Sequence, residues 1–532
     1  MRPGTVRSAL RSWIDPANLF DTIYSAEDTY FWLDAGTNAE SGMSFLGSGA
    51  ATARVVAPGI IQSQPSGELH RVAVLNFLRE RLPAAEPDPD SATVFPSTAS
   101  GHRDNRGEDS EVPFAGSLDS GCPLGWVGWL GYEVGEQTLT PKLSAPVAAP
   151  RTTSGTSLGA SIGSSGVESG SGGVESGRTR HPDAAFIYCD RLLAFDHAAR
   201  TVTLIALGET WTPELRRWRD SVQEKVAGSV ARNAAASLPS RAAGWPPRPR
   251  PTVLWRDTDA EYLALIARCQ AAIVEGEAYQ LCLTAAATVE GEFDPGAVYA
   301  ELRTASPTHH GGIVRIGGVS LLSSSPERFL AVSADGVIES KPIKGTRPRG
   351  TTPADDQRLR EELLSSDKER AENLMIVDLM RNDIGRVCEV GSVRVPVLMA
   401  VESYAQVHQL VSTVRGQLAA GRHPIDAVEA CFPAGSMTGA PKLRATQILA
   451  ILERYPRGIY AGAFGYFGVD GSIDLAMVIR SIVLDAAGAT IGSGGGITAS
   501  SVPAEELAEV KLKAAVLLSV LGVGAEPGHR AE

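Results

Sequence analysis

Gly336-Val337-Ile338-Glu339-Ser340-Lys341-Pro342-Ile343-Lys344-Gly345-Thr346 is the stretch from which the rest of the chain is best read. Its β-branched first half reads as a strand, and Gly345 is expected to end that strand where the backbone turns. Lysine is scarce in this Arg-rich chain, so Lys344 in apolar surroundings stands out. A lysine at a strand end facing a cleft can lose water, which disfavours its ammonium form and frees a nucleophilic amine. A salt-bridged or anion-binding lysine is the competing reading, and spacing alone favours it.

Length and composition set bounds. The 532 residues can bury a large core, with more than one domain the default expectation. A content of 43% hydrophobic and 21% charged residues is that of an ordinary globular protein, and a formal charge of −12 argues against a general nucleic-acid binder. An anionic small substrate is not excluded, because its site depends on local cations or a metal. Cys122, Cys189, Cys269, Cys282, Cys388 and Cys431 lack metal-ligand spacing and read as reduced, mostly buried thiols. Met1-Arg2-Pro3-Gly4 opens no secretory signal, and no apolar run reaches the ~18 residues of a membrane span, so the expectation is cytoplasmic and not membrane-bound.

Along the chain, residues 26–48 read as a hairpin, and the glycines of Trp126–Glu133 permit close strand packing. The runs Phe186–Leu193 and Thr201–Ile205 read as strands around a turn at His197–Arg200. Residues 97–120 and the Ser/Gly-rich 144–180 bury too little apolar area to offset ordering entropy and read as disordered insertions. The Pro/Arg segment Trp245–Pro251 marks a boundary. This divides the chain into an N-terminal region 1–248, a catalytic region 249–522 and a flexible tail 523–532. Asp259–Glu275 reads as an amphipathic helix with Tyr262, Ile266, Cys269 and Ile273 on one face.

Two acidic pairs have helical spacing. Glu369 stands three residues after Ser366 as in a capping box, and Glu372 follows three further on. Glu506 and Glu509 lie on a helix announced by Ser501 and Pro503, and Glu509 with Lys513 could form an i,i+4 surface pair. Two such helices can converge on one hard cation, and oxygen ligands with retained waters suit Mg²⁺. A solvent-facing stripe is the plainer alternative. Glu327 is placed on a strand beside Arg328, and Arg480 is read as closing a strand Ala476–Ile479. The glycines Gly494 and Gly496 precede the Glu506 helix, so their amides could face an anion, but neither they nor Gly435–Lys442 have Walker spacing.

Taken together, several motifs recur in a fixed order. They are Ser325-Pro326-Glu327-Arg328-Phe329, the Lys344 stretch, Asp367-Lys368-Glu369-Arg370-Ala371-Glu372-Asn373-Leu374-Met375, and Val377-Asp378-Leu379-Met380-Arg381-Asn382-Asp383. His408, the stretch Phe432-Pro433-Ala434-Gly435-Ser436-Met437-Thr438-Gly439-Ala440-Pro441-Lys442, and Gly494-Gly495-Gly496-Ile497 follow. This set resembles the chorismate-utilising enzymes, strongly over roughly 250–520 and more loosely before. The resemblance implies an α+β fold, with two antiparallel sheets packed as a sandwich, helices outside and the site in a cleft. It implies that Glu372 and Glu509 hold Mg²⁺, with Glu369 and Glu506 orienting them, so that the metal neutralises the ring carboxylate of chorismate. By the same resemblance Glu327 is the general acid/base and His408 lies near the leaving hydroxyl. Tyr460 and Arg480 then face the enolpyruvyl carboxylate, and Gly345, Thr346, Thr438, Gly494, Gly496 and Lys513 belong to substrate binding. A satisfied, half-buried histidine is the competing reading of His408.

Two positions separate the branches. By the same resemblance, Gln280 stands where the water-using isochorismate and salicylate synthases carry lysine as a base, and a neutral amide cannot activate water in that way. Lys344 stands where the anthranilate synthases resemble Pro-Ile-Ala-Gly-Thr, while Pro-Ile-Lys-Gly-Thr resembles the aminodeoxychorismate synthases of para-aminobenzoate and folate synthesis. That branch implies attack of the lysine amine on C2 and then of ammonia on C4. With no Gly-x-Cys-x-Gly elbow in the chain, ammonia is expected from a separate glutamine amidotransferase subunit. Anthranilate synthesis, or a silent chorismate- or tryptophan-binding regulatory subunit, is the alternative.

Overall fold

The computed structural model describes residues 4–84, 121–139, 180–235, 251–404 and 407–524. The 97–120 insertion, the 144–180 insertion apart from its last residue, and most of the 523–532 tail lie outside them. The described strands form two antiparallel sheets of twelve. The first passes from Thr5–Ala9, Thr201–Leu207, Arg191–Asp196, Met43–Ser48 and Tyr30–Asp34 into His310–Ile316 and Val319–Ser325. It ends in Ser481–Asp485, Gly488–Ile497, Gln280–Glu290 and Val253–Trp255. The second passes from Ile343–Pro348, Val407–Gln417, Val337–Ser340 and Arg328–Val332 through Ile473–Met477 and Ala463–Gly468. It ends in Gly125–Leu130, Ala184–Cys189, Thr52–Ala57, Ile60–Gln64 and Leu69–Arg71.

Both sheets therefore run through the sequence boundary at 248/249. Tyr30–Asp34 pairs with His310–Ile316 in one, and Gly125–Leu130 with Ala463–Gly468 in the other. The sheets pack through Phe31, Phe45, Leu192 and Val483 on one side against Val127, Trp129, Ile187 and Phe464 on the other. Helices cover the outer faces. Ile376, Val377, Met380 and Ile384 recur at helical spacing on Asp367–Gly385 and seal the second sheet. Ala514 and Leu517 of Pro503–Val520 do the same for the first. The α+β sandwich with helices outside is the fold observed.

The hairpin at 26–48 is present, with Tyr30 opposite Ser48. The run 186–193 is not one strand. It breaks at Asp190, and its halves join different sheets, Ala184–Cys189 the second and Arg191–Asp196 the first. Strands buried on both faces read as continuous apolar runs, so only the strand-averse Asp190 signals the break. The described cysteines are free thiols, all buried except the half-buried Cys122. Among the described residues no helix is long and apolar enough to cross a membrane.

The opening stretch forms one interrupted strand. Val337–Ser340 and Ile343–Pro348 both lie along Val407–Gln417, with Ser340 opposite Val414 and Ile343 opposite Val411. The register then slips before Thr346 meets Gln409. Gly345 thus forms a bulge rather than ending the strand, with φ +85°. A Cβ there would approach Leu363 Cδ1 at 2.8 Å. The bulge re-aims Lys344 toward the neighbouring helix.

Candidate active site

Helix Asp367–Gly385 begins at Ser366, whose hydroxyl accepts from the Glu369 amide at 3.5 Å. Glu369 and Glu372 are half-buried rather than a solvent-facing stripe. Lys344 Nζ lies 3.4 Å from Glu372 Oε2, with side chains only 16% and 14% exposed. Burial alone would lower the Lys344 pKa, but Glu372, with Cys282 and Glu327, holds it above the ordinary lysine value. The expectation of a desolvated, freed amine is corrected here: 28 residues along the chain, a carboxylate answers the charge. Glu369 faces Arg347 Nη1 at 3.5 Å.

Glu327 is not on a strand. It occupies the Pro326-Glu327 link between Val319–Ser325 and Arg328–Val332. Nor does it pair with Arg328, which turns away to Glu339 at 3.1 Å and Asp474 at 3.0 Å. Burial raises the Glu327 pKa to about 7, against the opposing pull of Lys344 and of a hydrogen bond from Ser436. A carboxyl poised there can hold or release a proton near neutrality.

Helix Pro503–Val520 starts at Val502 with no side-chain cap. Ser501 is not the cap: its hydroxyl donates to Glu506 Oε1 at 2.7 Å. Burial raises the Glu506 pKa, and the charges of Glu509 and Glu372 raise it further. Those three carboxylates therefore share one neighbourhood of negative charge. Glu509 is 2.8 Å from Lys513, which counteracts burial and holds it below the usual carboxylate range. Lys513 is more than a surface partner, because its Nζ also donates to the Gly494 carbonyl at 2.9 Å. Lys368 spans the two helices toward Glu506 at 4.0 Å. Among the described residues no three His, Cys, Asp or Glu side chains form a closed metal cage. Glu369, Glu372, Glu506 and Glu509 each face a cation, yet carboxylates converging from two helices are donors that fit Mg²⁺, which commonly takes one or two carboxylates and completes its shell with water and substrate oxygen.

Gly494 and Gly496 belong to the strand Gly488–Ile497, not to a loop, and face Thr284 and Cys282 across the ladder. A Cβ at Gly496 would lie 2.0 Å from Gln280 Nε2, and one at Gly492 2.0 Å from the Tyr460 ring, so both side chains lean on bare backbone. Gln280 is 1% exposed, and its Oε1 has no hydrogen-bond partner among the described residues. Arg480 lies beyond the strand Ile473–Met477 at φ +51°, its pKa lowered by burial. Thr438 is buried, its hydroxyl donating to the Ala434 and Gly435 carbonyls at 3.3 Å, whereas Thr346 is exposed.

His408 is 1% exposed with both ring nitrogens occupied, Nδ1 by Ser403 at 2.8 Å and Nε2 by Asp356 at 3.0 Å. The structure thus brings Lys344, Glu327, Glu372, Glu506, Glu509, Lys513 and Gln280 around one site, with His408 tied to Asp356. Ser436, Cys282 and Lys368 were missed. Ser436 and Lys368 had a signal, since they lie inside the quoted Phe432–Lys442 and Asp367–Met375 stretches.

A model of the chorismate binding enzyme family matches residues 165–519. The chain belongs to that family. Its relatives include an aminodeoxychorismate synthase of Streptomyces pristinaespiralis, 38% identical over 94% of this chain and 63% of that protein. The one from Streptomyces griseus is also 38% identical, over 96% and 63%. Anthranilate synthase component 1 of Streptomyces coelicolor is 40% identical over 64% of this chain and 67% of its own. The chain thus spans less than two thirds of the length of the two aminodeoxychorismate synthases. In fold, anthranilate synthase component I of Streptococcus pneumoniae superposes with a TM-score of 0.64 at 23% identity, covering 96% of this chain and all of its own.

Proposed function

We propose that the chain converts chorismate and ammonia to 4-amino-4-deoxychorismate, the aminodeoxychorismate synthase reaction leading to para-aminobenzoate and folate. The observation that carries this reading is Lys344, buried between Glu372 and Glu327 in the Pro-Ile-Lys-Gly-Thr stretch, with neutral Gln280 in the same site. Attack requires the free amine, so the Lys344–Glu372 pair opens and Glu327 takes the ammonium proton. The Lys344 nitrogen bonds to C2 of chorismate as the ring double bonds shift and, in the same step, the C4–O bond breaks, the hydroxyl leaving as water with the proton from Glu327. Ammonia next attacks C4, the double bonds shift back and the C2–N bond breaks, returning the lysine amine. Arg480 and Tyr460 would orient the enolpyruvyl carboxylate, as Arg's fork suits bidentate contact. Glu372 and Glu509 would hold Mg²⁺, with Glu369 and Glu506 orienting them. The cation when bound supplies charge neutralisation for the ring carboxylate.

Ammonia would come from a separate glutamine amidotransferase subunit, with the pair working in the cytoplasm. Incubation of the pure chain with chorismate, Mg²⁺ and ammonium, followed by product identification, tests the reading. A 4-amino product supports it. Anthranilate as the main product would transfer the chain to the branch of its Streptomyces coelicolor relative.

A further inference from the structure

Arg457 lies behind the site, on the link between helix Lys442–Glu453 and Tyr460. Its side chain is 1% exposed and that of Glu453 4%. Nε and Nη2 donate to the two Glu453 carboxylate oxygens, each at 2.8 Å. Nη1 donates to the Met437 carbonyl at 2.6 Å and Nη2 to the Cys282 carbonyl at 2.8 Å. Glu453 Oε1 in turn accepts from the Thr284 amide at 2.9 Å and hydroxyl at 3.0 Å. The guanidinium lies over the Tyr132 ring, 4.2 Å from its centroid. The Arg457 and Gly458 amides donate to Glu133 at 2.7 and 3.0 Å.

Each anchored group adjoins a residue of the site. Met437 precedes Thr438. Cys282 and Thr284 lie on the strand of Gln280, and Cys282 shares the electrostatic neighbourhood of Lys344. Tyr460 is three residues beyond Arg457. Met437 and Cys282 are far apart in sequence, and this one side chain ties both to the link that carries Tyr460. A buried ion pair is a poor source of stability, because desolvating two charges offsets most of their attraction. A planar fork that reaches two carbonyls and one carboxylate does fix geometry, which a lysine point charge cannot.

We propose that Arg457, braced by Glu453, is a positioning residue that holds the Thr438 loop, the Gln280 strand and Tyr460 in one register for chorismate. This rests on the functional reading only in taking chorismate to bind in this site. The test therefore reads equilibrium chorismate binding and total chorismate consumption, whatever the product. Arg457→Lys keeps the charge and loses the fork. The folded variant, checked by near-ultraviolet circular dichroism, should bind chorismate about tenfold more weakly and lose about a hundredfold in kcat/KM, the scale of a 1 Å misplacement. Glu453→Gln should show the same pattern, less severely. A purely structural pair would lower the folded fraction and leave Kd and KM of the folded molecules unchanged. Unchanged Kd and KM in the folded fraction of Arg457→Lys, or failure of both variants to fold, would overturn the proposal. An unsubstituted chain that consumes chorismate without forming the 4-amino product would instead sink the aminodeoxychorismate reading and leave this test intact.

Discussion

Glu327 and Glu339 are two glutamates of one sheet region, both withdrawn from water, at 8% and 0% exposure. Glu339 lies between two guanidinium groups, Arg328 at 3.1 Å and Arg415 at 2.5 Å, and Arg328 also reaches Asp474. Glu327 has no such clamp: it shares Lys344 with Glu372 and takes a hydrogen bond from Ser436. Burial then dominates, and its carboxyl titrates near 7. The same residue type at similar depth is clamped in an ion pair or left to titrate near neutrality according to how completely its charge is answered. Arg328 and Arg415 also line a cavity of about 1150 Å³ between the sheets, apart from Lys344.

The hardest blow to this contrast is removal of the cation beside Glu327. Lys344→Ala should reduce aminodeoxychorismate formation by on the order of a thousandfold or more, as expected when a covalent nucleophile is lost. Lys344→Arg should not rescue, because guanidinium stays protonated. Near-normal turnover by the arginine variant would break the covalent reading and leave Lys344 an electrostatic anchor.

Glu327→Gln and Glu339→Gln should cross over. The first should cost roughly a hundredfold or more in kcat, the usual contribution of a general acid, with the fold intact. The second removes the carboxylate shared by buried Arg328 and half-buried Arg415, leaving Arg328 its pair with Asp474, and should cost about 3 kcal/mol of stability, with turnover of the folded molecules little changed. Denaturant titration and steady-state kinetics on both variants decide the matter. Equal kinetic losses would erase the distinction.

Glu372→Ala should lose about a hundredfold in turnover while remaining folded, because it removes the carboxylate that faces Lys344 and would hold the cation. Undiminished activity of the unsubstituted chain in excess chelator would overturn the metal assignment.

The smallest effect is a pH dependence. The folded-state pKa of Glu327 is raised from 4.5 to about 7. Its contribution to stability is therefore complete below about pH 4.5 and is lost as pH rises through 7, at about 1.4 kcal/mol per unit within that window. Because the proposed cycle begins with ionised Glu327 taking the Lys344 proton, the rate should rise as pH passes through about 7. Glu327→Gln should flatten both trends, and an unchanged stability profile in that variant would show that burial does not govern this carboxyl.

Much of the site was legible in local pattern. Ser366 with Glu369 marked the start of one acidic helix, whereas Glu327 and Thr438 came only through the resemblance carried by the Ser325–Phe329 and Phe432–Lys442 stretches, and local pattern put Glu327 on a strand it does not join. The errors lay where partners are distant. Lys344 reads as a desolvated amine until Glu372 is seen facing it, and Gly494–Ile497 reads as an anion loop until its ladder with Gln280–Glu290 is laid down.

The sequence by itself determined many of the strand and helix segments, the Ser366 cap and the order of motifs that marks the family, because those depend on neighbours within a few residues. Only the tertiary structure decided which charges meet. Whether Glu327 is clamped or left poised, whether Gly345 turns or bulges, and which backbones Arg457 joins depend on residues tens to hundreds of positions apart. Burial then sets the strength of each pairing through the water it removes.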